Sequence, residues 1–443
     1  MNINKQYANC ITCLNRGVFP FFIENFRILI FILFLPFISF GQEDNSVNND
    51  SLLIEDLSGP GSVSKQLQND SRNLGKTKAW YFLDSLDQAK KRFTEKTGFT
   101  IGLDYNSQIM TATEAIDNNT GASGVFRVYG KWNFVGRGTP HEGGLVFKVE
   151  HRHRYTENAL REYGPLDVGF GGFVQSVYNN QGWRTTNLYW RQTLGTNKVV
   201  MYGGFVDVTD WTDVYIMASP WQGFNNLVFA TGSGAMGGGY PDGAMGFMAS
   251  AWLSDKIYAV GSIVDSNADP TAFWKGFDTF FTKFETVKTL EVGFTPNGLS
   301  SVFFKNIHIT LWQVDERVEA QAPSGWGILG SGVWSVGDKF LPFLRFGWAQ
   351  DGQSFYEYSI SAGFGYNVLG PNTLGLGLNY NKPNPSTFGG ADLDPQFVSE
   401  IFFKWKATHH SEFTPSIQMI ANPAFNPGTN FSTIFALRGR IFL

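Results

Sequence analysis

From Gly98 onward, apolar and polar residues alternate with a period of two. Phe99, Ile101, Leu103 and Tyr105 interleave with Thr100, Gly102, Asp104 and Asn106. Phe126, Val128, Gly130, Trp132 and Phe134 interleave with Arg127, Tyr129, Lys131 and Asn133. The same rhythm returns at Leu145–Val149, at Leu374–Tyr380 and at Ile401–Trp405. Successive residues of a strand point to opposite faces, so each segment has one greasy and one wet face. Seventeen candidate strands run from 98–112 to 430–443, among them 168–178. Single-chain bacterial barrels favour even counts, so one candidate is expected to be a loop and sixteen strands remain. Trp, Phe and Tyr gather at strand ends, where interfacial girdles form. The expected fold is all-β, a transmembrane antiparallel barrel of about 16 strands.

The period differs before Gly98. Residues 84–96 follow a helical pattern, with Leu86, Ala89, Lys90 and Phe93 on one face and Asp84 or Ser85 as the cap. This predicts a short N-terminal helix near or inside the barrel mouth. Residues 42–78 are rich in Asn, Asp, Ser and Gly, which predicts a flexible periplasmic leader. An apolar run from Ile28 to Phe40 is shorter than the ~20 residues of a spanning helix. It follows Lys5, Arg16 and Arg27 and ends at Ser39-Phe40-Gly41, the pattern of a cleaved secretory signal. The expected organisation is a signal peptide over 1–41, a leader with helix over 42–97, and a barrel over 98–443.

Composition supports this. Charged residues are only 16% of the chain and aromatics also 16%, yet mean hydropathy is −0.14. A helical membrane protein would be far more apolar; a barrel exposes half of each strand to lipid and half to water. Both cysteines, Cys10 and Cys13, lie in the signal segment, so a cysteine-free chain reaches the oxidising periplasm. Net charge is −4 for the whole sequence, and loss of 1–41 makes it more acidic, which argues against nucleic acid as a partner.

Tight links at Ser254-Asp255, Gly337-Asp338 and His409-His410-Ser411-Glu412 are expected periplasmic turns. The longest irregular piece, 209–242, would constrict the pore if it folded inward. Pore selectivity comes from width, charge rings and hydrogen-bond donors at the narrow point. Candidate pore-lining residues are Asp104, Arg127, Lys131, Lys148, Glu150, Arg152, Arg154 and Arg345, with Trp211 and Trp221 as loop aromatics. The plain alternative is solvated lumen charges paired across strands, and loop packing for the tryptophans. Arg184 and Arg191 lie on different faces of one strand, so both can be luminal only if a bulge intervenes.

Other signals point away from chemistry. Gly232-Ser-Gly-Ala-Met-Gly237 matches G-x-G-x-x-G but sits in a loop without a βαβ unit. His151 and His153 share a strand face, on the outward parity and without a third ligand, so no metal is expected. No nucleophile elbow stands out. No enzyme activity and no cofactor are expected.

The closing third carries a resemblance. Asn379-Tyr-Asn-Lys-Pro383, Glu400-Ile-Phe-Phe-Lys-Trp405, Thr414-Pro415, Gln418-Met-Ile420, Asn422-Pro-Ala-Phe-Asn-Pro427 and Ala436–Leu443 follow in series. Upstream, Leu188-Tyr-Trp-Arg-Gln-Thr-Leu194 precedes Gly203-Gly-Phe-Val-Asp207. This series resembles the carbohydrate-selective porin family (OprB-like), over roughly 80–443 and most strongly over 371–443. Family members usually end on an aromatic residue; here Phe442 is penultimate. The resemblance implies a monomeric sixteen-stranded barrel in the outer membrane of a Gram-negative bacterium, passing mono- or small oligosaccharides down their gradient. The residues also leave open a general or anion-selective porin, a barrel enzyme or an adhesion barrel.

Overall fold

The structure is a computed structural model, and it describes residues 56–72, 81–195, 198–237, 241–337 and 339–443. The signal segment and its two cysteines lie outside the described residues. Sixteen antiparallel strands close into one barrel. They are β1 Phe99–Ala112, β2 Thr120–Val135, β3 Gly143–Arg154, β4 Gly182–Leu194, β5 Val199–Val206, β6 Ala244–Trp252, β7 Ile257–Asp265 and β8 Thr286–Phe294. The second half is β9 Lys305–Val314, β10 Gly325–Trp334, β11 Phe340–Asp351, β12 Tyr356–Tyr366, β13 Asn372–Pro383, β14 Gln396–Thr408, β15 Ser411–Ala421 and β16 Phe431–Phe442. Each strand pairs with its successor, and β16 pairs with β1 to remove both edges. The barrel starts at β1 and ends at β16, so both strand termini lie at one end.

The alternation read from the sequence becomes two surfaces. On β1, Asp104, Asn106 and Gln108 are buried inward, while Tyr105 and Ile109 are exposed outward. On β3, Lys148, Glu150 and Arg152 point in and Leu145 points out. Leu290, Ile307, Ile309, Leu311, Leu344, Phe403 and Leu437 extend the exposed apolar belt around the wall. Such a continuous belt belongs against lipid. Aromatic pairs border it, including Trp132–Phe134 at 4.6 Å, Trp405–Phe413 at 6.1 Å and Trp326–Trp348 at 5.0 Å between ring centroids.

Short turns fall at the end bearing the strand termini. Residues around Ser254-Asp255 and His409-His410 are such turns, as the sequence implies. The long connections lie at the far end. A bulge sits at Thr186, where Lys148 pairs with Asn187 but Val149 pairs with Thr185. It shifts the parity of β4 by one, so Arg184 and Arg191 are both buried inside the barrel.

Two expectations are corrected. Segment 168–178 is not a strand but part of the β3–β4 connection. Its apolar residues Val168, Phe170, Val174 and Tyr178 are buried inside the barrel, and burial in the lumen mimics the spacing of a strand. The leader expected over 42–78 is ordered at 56–72, where it enters the lumen and forms helix α1, Val63–Ser71. Helix α2, Tyr81–Thr97, contains the helix expected at 84–96. It lies across the rim, with Asp87 3.3 Å from His410, Arg137 donating to the Glu95 and Lys96 carbonyls, and Phe93 against Phe99 at 6.1 Å.

Candidate functional site: the luminal constriction

Three segments enter the barrel, and each has a physical reason to do so. The β5–β6 connection carries Trp211, Tyr215, Trp221, Phe224 and Phe229, all buried. The wall it meets is locally apolar. Trp211 packs on Tyr189 and Tyr202 at 5.5 and 4.8 Å. Phe224 meets Phe402 at 4.9 Å, and Tyr215 meets Phe343 at 5.3 Å. Burying these rings removes more apolar surface from water than a solvated loop would.

Polar clasps fix the loop's register. Arg345 donates to the Phe229 and Ala230 carbonyls and to Asp213 Oδ2 at 3.0, 2.8 and 2.5 Å. Asp213 adopts a left-handed backbone (φ 51°) and also accepts from His308 at 3.1 Å. Arg438 donates to Pro220 O, Asn225 Oδ1 and Gly223 O. Glu400 accepts the backbone N–H groups of Asn225 and Asn226 at 2.8 and 2.9 Å. The G-x-G-x-x-G match is packing: Gly234 has φ +71° and lies against the Tyr356 ring with no room for a side chain.

The β3–β4 connection joins the same network. Gln175 donates to Gln108 Oε1 and Asn225 Oδ1 at 2.7 and 2.9 Å, and Gln418 donates to Val174 O at 2.9 Å.

The third segment, 56–72, rises from the opposite end. Ser62 caps α1 by accepting from Lys65 N at 3.3 Å. Leu57, Val63 and Leu67 bury against a cluster that includes Tyr129 and Val146. Ion pairs tie both ends: Asp56 to Arg191 at 3.1 Å, and Asp70 to Arg440 at 2.8 Å. Tyr129 donates to Asp70 at 2.5 Å, and Gly59 N donates to Asp210 O at 2.6 Å.

These segments leave a small cleft between Gly59–Gly61, β3 and the β5–β6 connection. Lys148, Glu150, Arg152, Asp207, Asp210, Trp221 and Asp242 line it. Arg152 pairs with Glu150 at 2.6 Å and Asp242 at 3.3 Å, and Arg184 reaches Asp242 at 2.5 Å. Lys148 stands 3.5 Å from Asp207 and 3.7 Å from Asp210. Burial disfavours ionisation of Asp242, but Arg184, Arg152 and Arg161 hold its carboxyl well below the usual range. Burial pushes Asp210 up to about 7, with Lys148 opposing and Asp207 adding to the shift. The cleft therefore sets each cation beside a carboxylate. The Trp221 ring lies 4.0 Å from the Arg127 guanidinium and 5.8 Å from that of Arg152.

The structure places the sequence candidates in five settings. Lys148, Glu150, Arg152 and Trp221 meet at the cleft, and Arg127 reaches it through Trp221. Asp104 lies deeper, paired with both Arg127 and Arg440 beside α1. Lys131 is half-buried farther toward the termini, in register with Thr100 and Val146. Trp211 is buried against Tyr189 and Tyr202, Arg345 is buried beneath the β5–β6 connection, and neither lines the cleft. Arg154 is exposed at the far rim, where it donates to the Glu157 carbonyl. Asp207, Asp210, Asp242 and Arg184 complete the site and were not among the candidates. Asp242 stands in an aperiodic Gly-rich loop, and no local signal shows that this loop turns inward.

No protein-family model matches the chain, and no curated protein matches it by sequence. Solved structures do. The high-pH structure of Pseudomonas putida OprB aligns with a TM-score of 0.62 and 12% identity, covering 81% of this chain and 97% of that one. The low-pH structure of the same protein gives 0.48 and 9%, over 84% and 100%. A triple mutant of Rhodopseudomonas blastica porin gives 0.45 and 12%, over 78% and 100%. At such identities the likeness is one of fold, and the chain is a porin-type sixteen-stranded barrel.

Proposed function

We propose that the protein is an outer-membrane porin through which small carbohydrates diffuse passively, as a monomer embedded in outer-membrane lipid. The observation that carries this reading is the lining of the cleft. Lys148 and Arg152 stand among Glu150, Asp207, Asp210 and Asp242, Arg184 pairs with Asp242 from behind the lining, and Trp221 adds an aromatic edge. Fixed donors and acceptors of both signs suit a neutral polyhydroxyl compound, whose hydroxyls need both. An anion-selective pore would leave a cationic excess unpaired, and these cations face carboxylates. The outward apolar belt supports residence in a bilayer, and the porin-type fold supports a channel.

Uptake of glucose into proteoliposomes tests the reading. The expected result is sugar influx that Arg152→Ala slows several-fold while bulk ion leak stays the same. Equal influx in both proteins would remove Arg152 from the path.

A second reading has one observation in its favour. Segment 56–72 and both long connections pack inside the lumen, as they would in a closed barrel with an adhesion or structural role. Zero influx with intact folding would favour it.

A further inference from the structure

His151 and His153 stand on the outer wall of β3, alternating with the inward Glu150 and Arg152. The luminal function makes no use of them. Their Nδ1 atoms are 3.3 Å apart, with ring centroids at 5.3 Å. Two imidazole nitrogens on one tetrahedral metal, each at ~2.0–2.1 Å, lie about 3.3 Å from one another. The gap between these rings is thus the bite of a chelate.

A supporting shell is in place. His153 Nε2 is 2.9 Å from the Tyr105 hydroxyl, and Tyr105 is hydrogen-bonded in turn to the Tyr155 hydroxyl. When His153 Nε2–H donates to Tyr105, its Nδ1 lone pair is left facing His151. Ligating histidines are oriented this way, by a bond from the nitrogen that does not bind metal. Gly124 makes room for the knot: a side chain there would strike Tyr155, His153 and Tyr105 together. The edge of Trp183, 5.0 Å from His151, walls the other side.

We propose that His151 and His153 form a two-histidine chelate for a divalent first-row transition metal, of the Zn²⁺, Ni²⁺ or Cu²⁺ class. Imidazole nitrogen suits these ions and not Mg²⁺ or Ca²⁺. Without metal, one Nδ1–H bridges the pair. Binding moves that proton to the Nε2 of the His151 ring, so both imidazoles stay neutral and each Nδ1 gives a lone pair to the ion. The remaining positions face outward at the far end of β3, open to water or to a lipid phosphate. The sequence reading set this pair aside for lack of a third protein ligand. Tyr105 and Tyr155 act as positioning residues behind the pair, and an open site needs no third side chain. The proposal is independent of what passes through the lumen.

The test is Cu²⁺ binding to the untagged, detergent-purified barrel, followed by electron paramagnetic resonance and by competition with Zn²⁺. One Cu²⁺ per chain with coupling to two nitrogens is expected. His153→Ala and His151→Ala should each weaken binding at least tenfold. Tyr105→Phe should weaken it several-fold without changing the nitrogen count. His409→Ala/His410→Ala removes the chain's other adjacent histidines and should leave the signal intact. Binding that survives His151→Ala/His153→Ala, or that is lost with His409→Ala/His410→Ala, would overturn the proposal, as would no binding at all. Heat-modified gel mobility of each variant reports folding, and these outward side chains are not needed to close the barrel.

Discussion

Arg345 has no exposed surface, and its guanidinium holds Asp213, the Phe229 carbonyl and the Ala230 carbonyl at once. Tyr215 covers its face at 4.4 Å. Removing one partner of a buried ion pair strands the other, at a typical penalty of about 3–5 kcal/mol. Arg345→Ala should therefore lower the unfolding free energy drawn from urea titration, followed by tryptophan emission, by that order, with a lower midpoint. Arg345→Lys should fall between, since an ammonium keeps the charge without the planar fork. An unchanged midpoint for Arg345→Ala would contradict the clasp. The inward direction of Arg345 was legible from strand parity. Its partner was not, because Asp213 lies 132 residues away on a loop whose path no local pattern encodes. The same limit hid Asp242 while leaving Lys148, Glu150 and Arg152 readable on one strand face.

Elements follow the same logic at larger scale. Strands were readable because a period of two is imposed locally by the pleat. Luminal segments were not, because their partners come from the far wall. Val168, Phe170 and Val174 looked like a strand because the lumen buries them as a sheet would. Segment 56–72 looked like a leader because its composition is polar, yet Asp56 and Asp70 meet Arg191 and Arg440 across the lumen. The Arg184/Arg191 conflict was itself informative, since it made a bulge the condition for both to be luminal, and a bulge is found at Thr186. Gly59–Gly61 forms one side of the cleft, so deletion of 56–72 should widen the path. Single-channel recordings of that deletion should show a conductance several-fold above that of the full chain. Equal conductance would mean that the segment does not obstruct flow.

As a whole molecule, the barrel solves two problems with one alternation. Its outer face is apolar for lipid, and closure of β1 on β16 leaves no backbone edge unpaired. Its inner face mixes charges with apolar patches, so in-turned loops can seat on the patches while the charges border what space remains. A porin-type fold supplies the wall, and three segments narrow it to the cleft around Lys148, Arg152, Asp210 and Asp242, where the proposed function places selectivity. The central claim is that this cleft passes neutral sugars. Single-channel conductance in planar bilayers, titrated with glucose, maltose and phosphate, tests it most directly. The account predicts an open channel whose ion current falls saturably with a sugar and does not respond to phosphate. Block by phosphate alone, or a silent bilayer with correctly folded protein, would contradict it.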